Sequence, residues 1–346
     1  MIYLKYIFIF FELFSLFFLI MNRLSFISII PKKYINNSKF FKFTKQNLIN
    51  DIYQRIWNKL IHANSLYISG KARFGNFLIS INNAIIFCEL LGCKQIIIQN
   101  NNKLFINHEI FYSEYNITIK PNQLDFEPNS IILNNWFFYY LNIKGLGRVN
   151  RLNILKKEIL NNLPKLKTHA DELAMYIRSG DIFSVLKNSI KSYAQPPLCF
   201  YENILNNFKF KKVNIISENN LNPVIIILLK KYSYIKFNKH DIKYDISYLA
   251  NSFNIVSAKS SFLISVIKLN DKLKFLWEYD FYKLSEKYYH LHPSVYSFPY
   301  NYTIYKMDAS LKYKKYMYPF TNSKKQRKLM KKEKCNNNFI IIKPRI

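Results

Sequence analysis

Apolar and polar positions fall into blocks along this chain, and the blocks change period. Leu66-Tyr67-Ile68-Ser69 is a short apolar run that reads as a buried strand. Residues 70–76 (Gly-Lys-Ala-Arg-Phe-Gly-Asn) form a turn, and Phe77 to Leu91 has the length and apolar density of a helix. Gly92 stands where a helix C-cap belongs. Lys94 to Gln99, with its three isoleucines, predicts the next strand. This strand–turn–helix–strand unit implies a parallel sheet. A further strand is expected at Ser130 to Leu133, and a helix over Arg151 to Leu163 stops at Pro164.

A second, more regular series follows. Strands are expected at Leu173–Arg178, Val213–Ser217, Tyr234–Phe237 and Asn254–Ala258. Helices are expected at Leu198–Phe208, after Gln195-Pro196-Pro197, and from Pro223 to about Tyr232 with Asn222 as N-cap. Two more run from an Asp245 cap to Phe253 and from Phe262 to about Leu269, the latter entered through Lys259-Ser260-Ser261. Regular alternation of strand and helix predicts a doubly wound, nucleotide-binding type of unit. Past Pro299 the pattern fades, and the basic run from Ser323 to Lys334 reads as a solvated tail.

At the other end, Ile2 to Ile20 is nearly all apolar, broken by Lys5 and Glu12. It approaches the ~20 residues a membrane helix needs. A signal anchor, a cleaved signal and a merely hydrophobic start all fit, and the anchor is favoured because no small-residue cleavage pattern follows. The chain then divides into an anchor (1–22), a stem (23–50), a first α/β lobe (51–165), a second α/β lobe (166–300) and an extension with a basic tail (301–346). Sequons at Asn36, Asn116 and Asn301 permit a secretory location (ER or Golgi, type II topology).

Composition changes this picture little. Half of the 346 residues are hydrophobic and 17% are aromatic, as in a globular body. The formal charge of +30 is spread through structural segments, alongside abundant Asn, Ile, Phe and Tyr, as an AT-rich coding sequence would produce. A dedicated nucleic-acid binder would gather that charge on one recognisable module, so no nucleic-acid partner is expected. Cys88, Cys93, Cys199 and Cys335 match no zinc spacing, and Cys88 and Cys93 are read as lying in one helix.

The chemistry gathers at strand ends. Arg178-Ser179-Gly180-Asp181 ends a buried strand, and the carboxyl ends of strands are where ligands sit in open α/β sheets. A guanidinium there suits phosphate, with an Arg–Asp ion pair as the plainer reading. Ser217 and Glu218 end the next strand on the same rim. Ser260 and Ser261 open a helix, where free amides, dipole and hydroxyls favour an anion, although the same groups make an ordinary cap. Asp245 is either an N-cap or a carboxylate that reads a ribose or a base. No Asp-x-Asp, G-x-G-x-x-G, Walker or G-x-S-x-G sequence occurs, and His290 and His292 make no ligand set, so no metal is expected.

Four of these stretches together resemble one family. Residues 70–76 are similar to the "GGLGNQ" start of the α-1,2-fucosyltransferase-like glycosyltransferases, and Tyr176-Ile177-Arg178-Ser179-Gly180-Asp181 to their "HIRRGD" segment. Ser217-Glu218-Asn219 resembles "SDD", and residues 245–262 (DISYLANSFNIVSAKSSF) resemble "D..LM..C..NIIANSSF". The resemblance covers about residues 65 to 270. It implies a GT-B fold of two Rossmann-like lobes with parallel sheets and inverting, metal-independent transfer of fucose from GDP-fucose to a glycan or glycoprotein. Arg178 would contact the donor β-phosphate. Ser217, Glu218, Asp245, Ser260, Ser261 and Phe262 would line the donor site. Gly70, Arg73, Gly75 and Asn76 would face the cleft, and Asp181 is the candidate general base. Tyr176 stands at the family's histidine and Ser179 at its second arginine. Those departures keep a catalytically degenerate, glycan-binding relative as the alternative. A basic nucleic-acid-associated protein rests on charge alone.

Overall fold

The computed structural model describes residues 64–69, 73–99, 109–113, 116–121, 130–132, 152–184, 194–258, 260–281, 301–336 and 338–344. The expected anchor and stem, Gly70, His290 and His292 lie outside them. Among the described residues, no helix is long and apolar enough to cross a membrane.

The first sheet contains β1 (Ser65–Ser69), β2 (Gln95–Gln99), β3 (Ile110–Tyr112), β4 (Ile117–Pro121) and β5 (Ser130–Ile132). Their order is β3-β4-β2-β1-β5, parallel throughout except for the edge strand β3. From β1 the chain builds outward through β2 and β4, then returns to lay β5 on the other side. That reversal makes the carboxyl end of β1 a topological switch point. The helix after it, α1 (Phe74–Leu91), begins at Phe74 rather than at Phe77. It is apolar nearly all round, which requires cover on more than one side. Phe77, Leu78, Ile81, Ile85 and Cys88 are all buried. Gly92 ends it at φ 71°, the left-handed conformation that glycine adopts without penalty. Cys93 lies beyond this cap, not within the helix, and is disulfide-bonded to Cys88 with a Cα–Cα separation of 4.9 Å.

Helix α2 (Leu152–Asn161) leads across to the second sheet. That sheet comprises β6 (Glu172–Tyr176), β7 (Lys212–Ile216), β8 (Ile235–Phe237), β9 (Asn254–Val256), β10 (Phe275–Asp280), β11 (Thr303–Asp308) and β12 (Ile340–Ile342). Its order is β12-β11-β10-β9-β6-β7-β8, with only β12 antiparallel. Setting β12 aside, the strands follow the doubly wound order, with the reversal between β6 and β9. A one-turn helix, α3 (Asp181–Ser184), follows β6, and α4 (Leu198–Asn207), α5 (Pro223–Lys231), α6 (Ile242–Asn251) and α7 (Ser261–Ile267) complete the alternation. Asn222 caps α5 by accepting from the Val224 amide, with Pro223 at the first helical position as expected. The cap of α6 is Asp241, whose carboxylate accepts from Tyr244 N at 2.8 Å. Asp245 is therefore not the N-cap but a first-turn residue, free to face elsewhere.

The larger correction is at the C-terminal end. The described residues between 303 and 342 are part of the second lobe: β11 pairs in register with β10 and β12 closes the edge. Two further helices, α8 (Leu311–Met317) and α9 (Lys324–Lys332), follow β11. The run expected to be a solvated tail is the amphipathic helix α9, started by a Ser323/Gln326 capping box. Met330 is buried in the same core as Phe183, Phe200 and Tyr313. Cys335, just beyond it, is disulfide-bonded to Cys199 of α4. One face of the second sheet carries that core. The other shares a continuous core with α1, α2, α6 and α7, so the two sheets meet through the helices of this seam.

Candidate functional site

The two switch points converge on the seam. Gly75, in the first turn of α1, lies so close to α7 that an added Cβ would stand 2.4 Å from Phe262 N. Ser265 Oγ donates to Gly75 O at 3.0 Å, and Ser261 Oγ donates to Asn76 Oδ1 at 2.7 Å. The Phe262 ring packs on Tyr176 and on Phe74, with centroids at 5.5 and 6.0 Å. Gly75 is a glycine because another backbone occupies the place of its side chain.

Beside this seam, β6 delivers Arg178 into the turn. The guanidinium is buried, with Nη1 on Glu218 Oε1 at 2.9 Å and Nη2 on Asp181 Oδ1 at 2.7 Å. From the first lobe, Arg73 Nη1 reaches Asp181 Oδ2 at 2.9 Å. Asp181 thus links an arginine of each lobe. Gly180 has φ 57°, and a Cβ there would meet Glu218 Oε2 at 2.2 Å. The left-handed conformation favours glycine, and a Cβ there would have to displace the flexible carboxylate end of Glu218.

The shape of this turn is held by Asn219, which the sequence reading included in the Ser217-Glu218-Asn219 stretch without naming it as a site residue. Asn219 Oδ1 accepts from Ser179 Oγ at 2.6 Å, Gly180 N at 3.2 Å and Leu221 N at 3.1 Å. Ser179 Oγ also accepts from Asn222 N, and Asn222 Nδ2 donates to Arg178 O. Ser179 is therefore a fully buried brace of the loop, not an exposed donor. Ser217 likewise spends its hydroxyl inside the loop, donating to Asn219 O at 2.9 Å. An Asn just past a strand end is a turn signal in itself, which is the clue that could have singled out Asn219.

The helix start at Ser260 is a genuine cap: Ser260 Oγ accepts from Phe262 N and from the Tyr176 hydroxyl, each at 3.2 Å. Tyr176 thereby ties the ends of β6 and β9 across the switch point. Burial pushes its phenol pKa up. Burial opposes the charge of Arg178, but Tyr176, Glu218 and Asp181 around it more than offset that and keep it cationic. Partial burial raises the Glu218 carboxyl despite Arg178 beside it. Asp245 is pushed up to about 7, mainly by burial and then by Asp241 and Glu218. It lies in the first turn of α6, the helix entered from the carboxyl end of β8, on the rim where β7 delivers Glu218.

The structure thus brings together Arg73, Arg178, Asp181 and Glu218, with Asp245 close enough to feel Glu218. Gly75, Asn76, Ser261 and Phe262 join the lobes, and Ser217 and Ser260 shape the loops that carry the charged groups. An anion can reach this cluster through the remaining donors of the exposed Arg73, or by displacing a carboxylate from Arg178. Among the described residues, no three His, Cys, Asp or Glu side chains converge as a metal-ligand set.

No family model matches this sequence, and no curated protein does. Among solved structures, the chain is similar to E. coli heptosyltransferase WaaC with ADP at 8% identity, over 76% of this chain and 95% of that one, with a TM-score of 0.33.

Proposed function

We propose that this protein is a glycosyltransferase of the GT-B type that transfers fucose from GDP-fucose to a glycan or glycoprotein, with inversion and without a metal. The observation that carries the reading is Arg178 at the β6–β9 switch point, held by Asp181 against an arginine of the opposing lobe. Departure of fucose leaves negative charge on GDP, and a preorganised guanidinium in a partly dry site stabilises that charge. Donor phosphates would exchange Glu218, the more exposed of the two carboxylates on Arg178, for their own oxygens. Asp245 on the same rim suits a ribose or base hydroxyl contact. Asp181, each oxygen of which accepts from one arginine and keeps a second lone pair, is the candidate general base. The N-terminal apolar segment would hold the enzyme in a secretory membrane.

The test is a panel of GDP, UDP and CDP read by melting temperature. GDP at 100-fold over its Kd stabilises by ~2.7 kcal/mol. GDP is expected to give the largest upward shift, and Arg178→Ala to abolish it. The reading fails if no nucleotide shifts the wild type, or if Arg178→Ala responds equally.

A degenerate, glycan-binding relative is the second reading. It is favoured by Ser179, which fills the second-arginine position with a hydroxyl turned into the loop. Sustained GDP release from GDP-fucose in the presence of an acceptor mixture would exclude it.

A further inference from the structure

We propose that Arg327, in the basic helix at the C-terminal end, is a positioning residue for the Arg178–Asp181 turn, an inference that rests on reading that turn as the donor-phosphate site. Helix α3 spans Asp181–Ser184, and the last carbonyls of a helix take their partners from outside it. Its internal support is slight: Phe183 N and Ser184 N both return to Gly180 O. Ser184 Oγ adds a bond to Asp181 O at 3.0 Å, and further support comes from a distant part of the chain. Arg327 Nη2 donates to Phe183 O at 2.8 Å, while Nε donates to Asn322 Oδ1 at 2.8 Å. Its guanidinium carbon lies 5.6 Å from the centre of the Phe183 ring. The same ring packs against Phe320 at 5.6 Å, so Phe183 is gripped on its carbonyl and on its ring by the segment 320–327.

That segment is itself anchored. Asn322 is fully buried at φ 54°, and Gln326 binds five groups ahead of it: Tyr316 O, Pro319 O, Thr321 N, Thr321 Oγ1 and Ser323 N. Beyond the helix, Cys335 is disulfide-bonded to Cys199, with a Cα–Cα separation of 5.6 Å. Phe183 is two residues from Asp181, whose carboxylate orients both arginines. A guanidinium fork suits this task because its donors point in fixed, diverging directions. Arg327 therefore acts through the backbone of α3 and touches no substrate.

The test compares Arg327→Met and Arg327→Lys with the full-length wild type by amide hydrogen exchange and by titration with GDP. Arg327→Met keeps the apolar stem and removes the donors. It is expected to speed exchange at Phe183 and Ser184 at least 10-fold, to leave β7 (residues 212–216) protected, and to weaken GDP binding at least 5-fold. Arg327→Lys is expected to recover a large part of both effects. Unchanged exchange at residues 183–184 in Arg327→Met overturns the proposal. So does a uniform rise across the second lobe, which would mark a merely structural residue. If the wild type binds no GDP yet exchange at residues 183–184 still rises alone, the brace stands and the donor reading falls.

Discussion

At the scale of single residues, the site is a balance of charge. Two arginines, Arg73 and Arg178, face Asp181 and Glu218, with Asp245 nearby. Glu218 and Asp245 both have raised pKa values, so the cluster gains positive character as the pH falls. Asp245 lends itself to a clean measurement. Its folded pKa of about 7 lies above the ordinary 3.8, so the folded state holds a proton that the unfolded state has lost. Stability therefore falls as pH rises from about 4 through about 7, then levels off. Each unit is worth ~1.4 kcal/mol, so ionised Asp245 costs on the order of 2–4 kcal/mol after allowance for its partial exposure. Asp245→Asn should match wild type near pH 4 and unfold at higher urea near pH 8. Equal midpoints at pH 8 would show that the carboxyl is not perturbed. Arg178, Asp181 and Glu218 could be singled out from the chain, because strand ends in α/β sheets are where chemistry collects. Asn219 and Tyr176 could not be assigned their roles, since their partners lie 40 and 84 residues away in Ser179 and Ser260.

At the scale of elements, caps and alternation were legible because they are local. Asn222-Pro223 and Gly92 sit where a helix must begin or end. Two Asp residues within one turn's reach, Asp241 and Asp245, could each have capped α6, and only the backbone geometry chooses Asp241. Helix α9 was obscured by its lysines. Its buried stripe is Gln326 and Met330, one turn apart, with Leu329 half-buried beside them. The Ser323-x-x-Gln326 capping box was the one signal that could have revealed it. If α9 is a packed element, Met330→Lys should cost ~3 kcal/mol or more in a urea titration, since it buries a charge in an apolar core. A solvated tail would tolerate it within ~0.5 kcal/mol.

At the scale of the whole molecule, the seam between the lobes depends on Gly75. Within an isolated helix, Gly→Ala stabilises by ~0.5–1 kcal/mol. Here the new methyl would meet Phe262 N at 2.4 Å, in a backbone that cannot step aside cheaply. Gly75→Ala should therefore lower the melting temperature and expose the amides of both α1 and α7 to faster exchange. A melting temperature at or above wild type would mean that the two helices are not in contact in solution.

By itself the sequence determined the alternation of strand and helix, the stops and caps, and the strand-end arginine, because backbone preference and burial period act over a few residues. Only the tertiary structure decided that β11 and β12 complete the second sheet, that Ser179 braces a loop, and that Arg73 and Arg178 share Asp181 across the seam. Those features follow from the order in which strands join their sheets. That order is set by the packing of segments far apart in the chain, and no local pattern of apolar and polar residues encodes it.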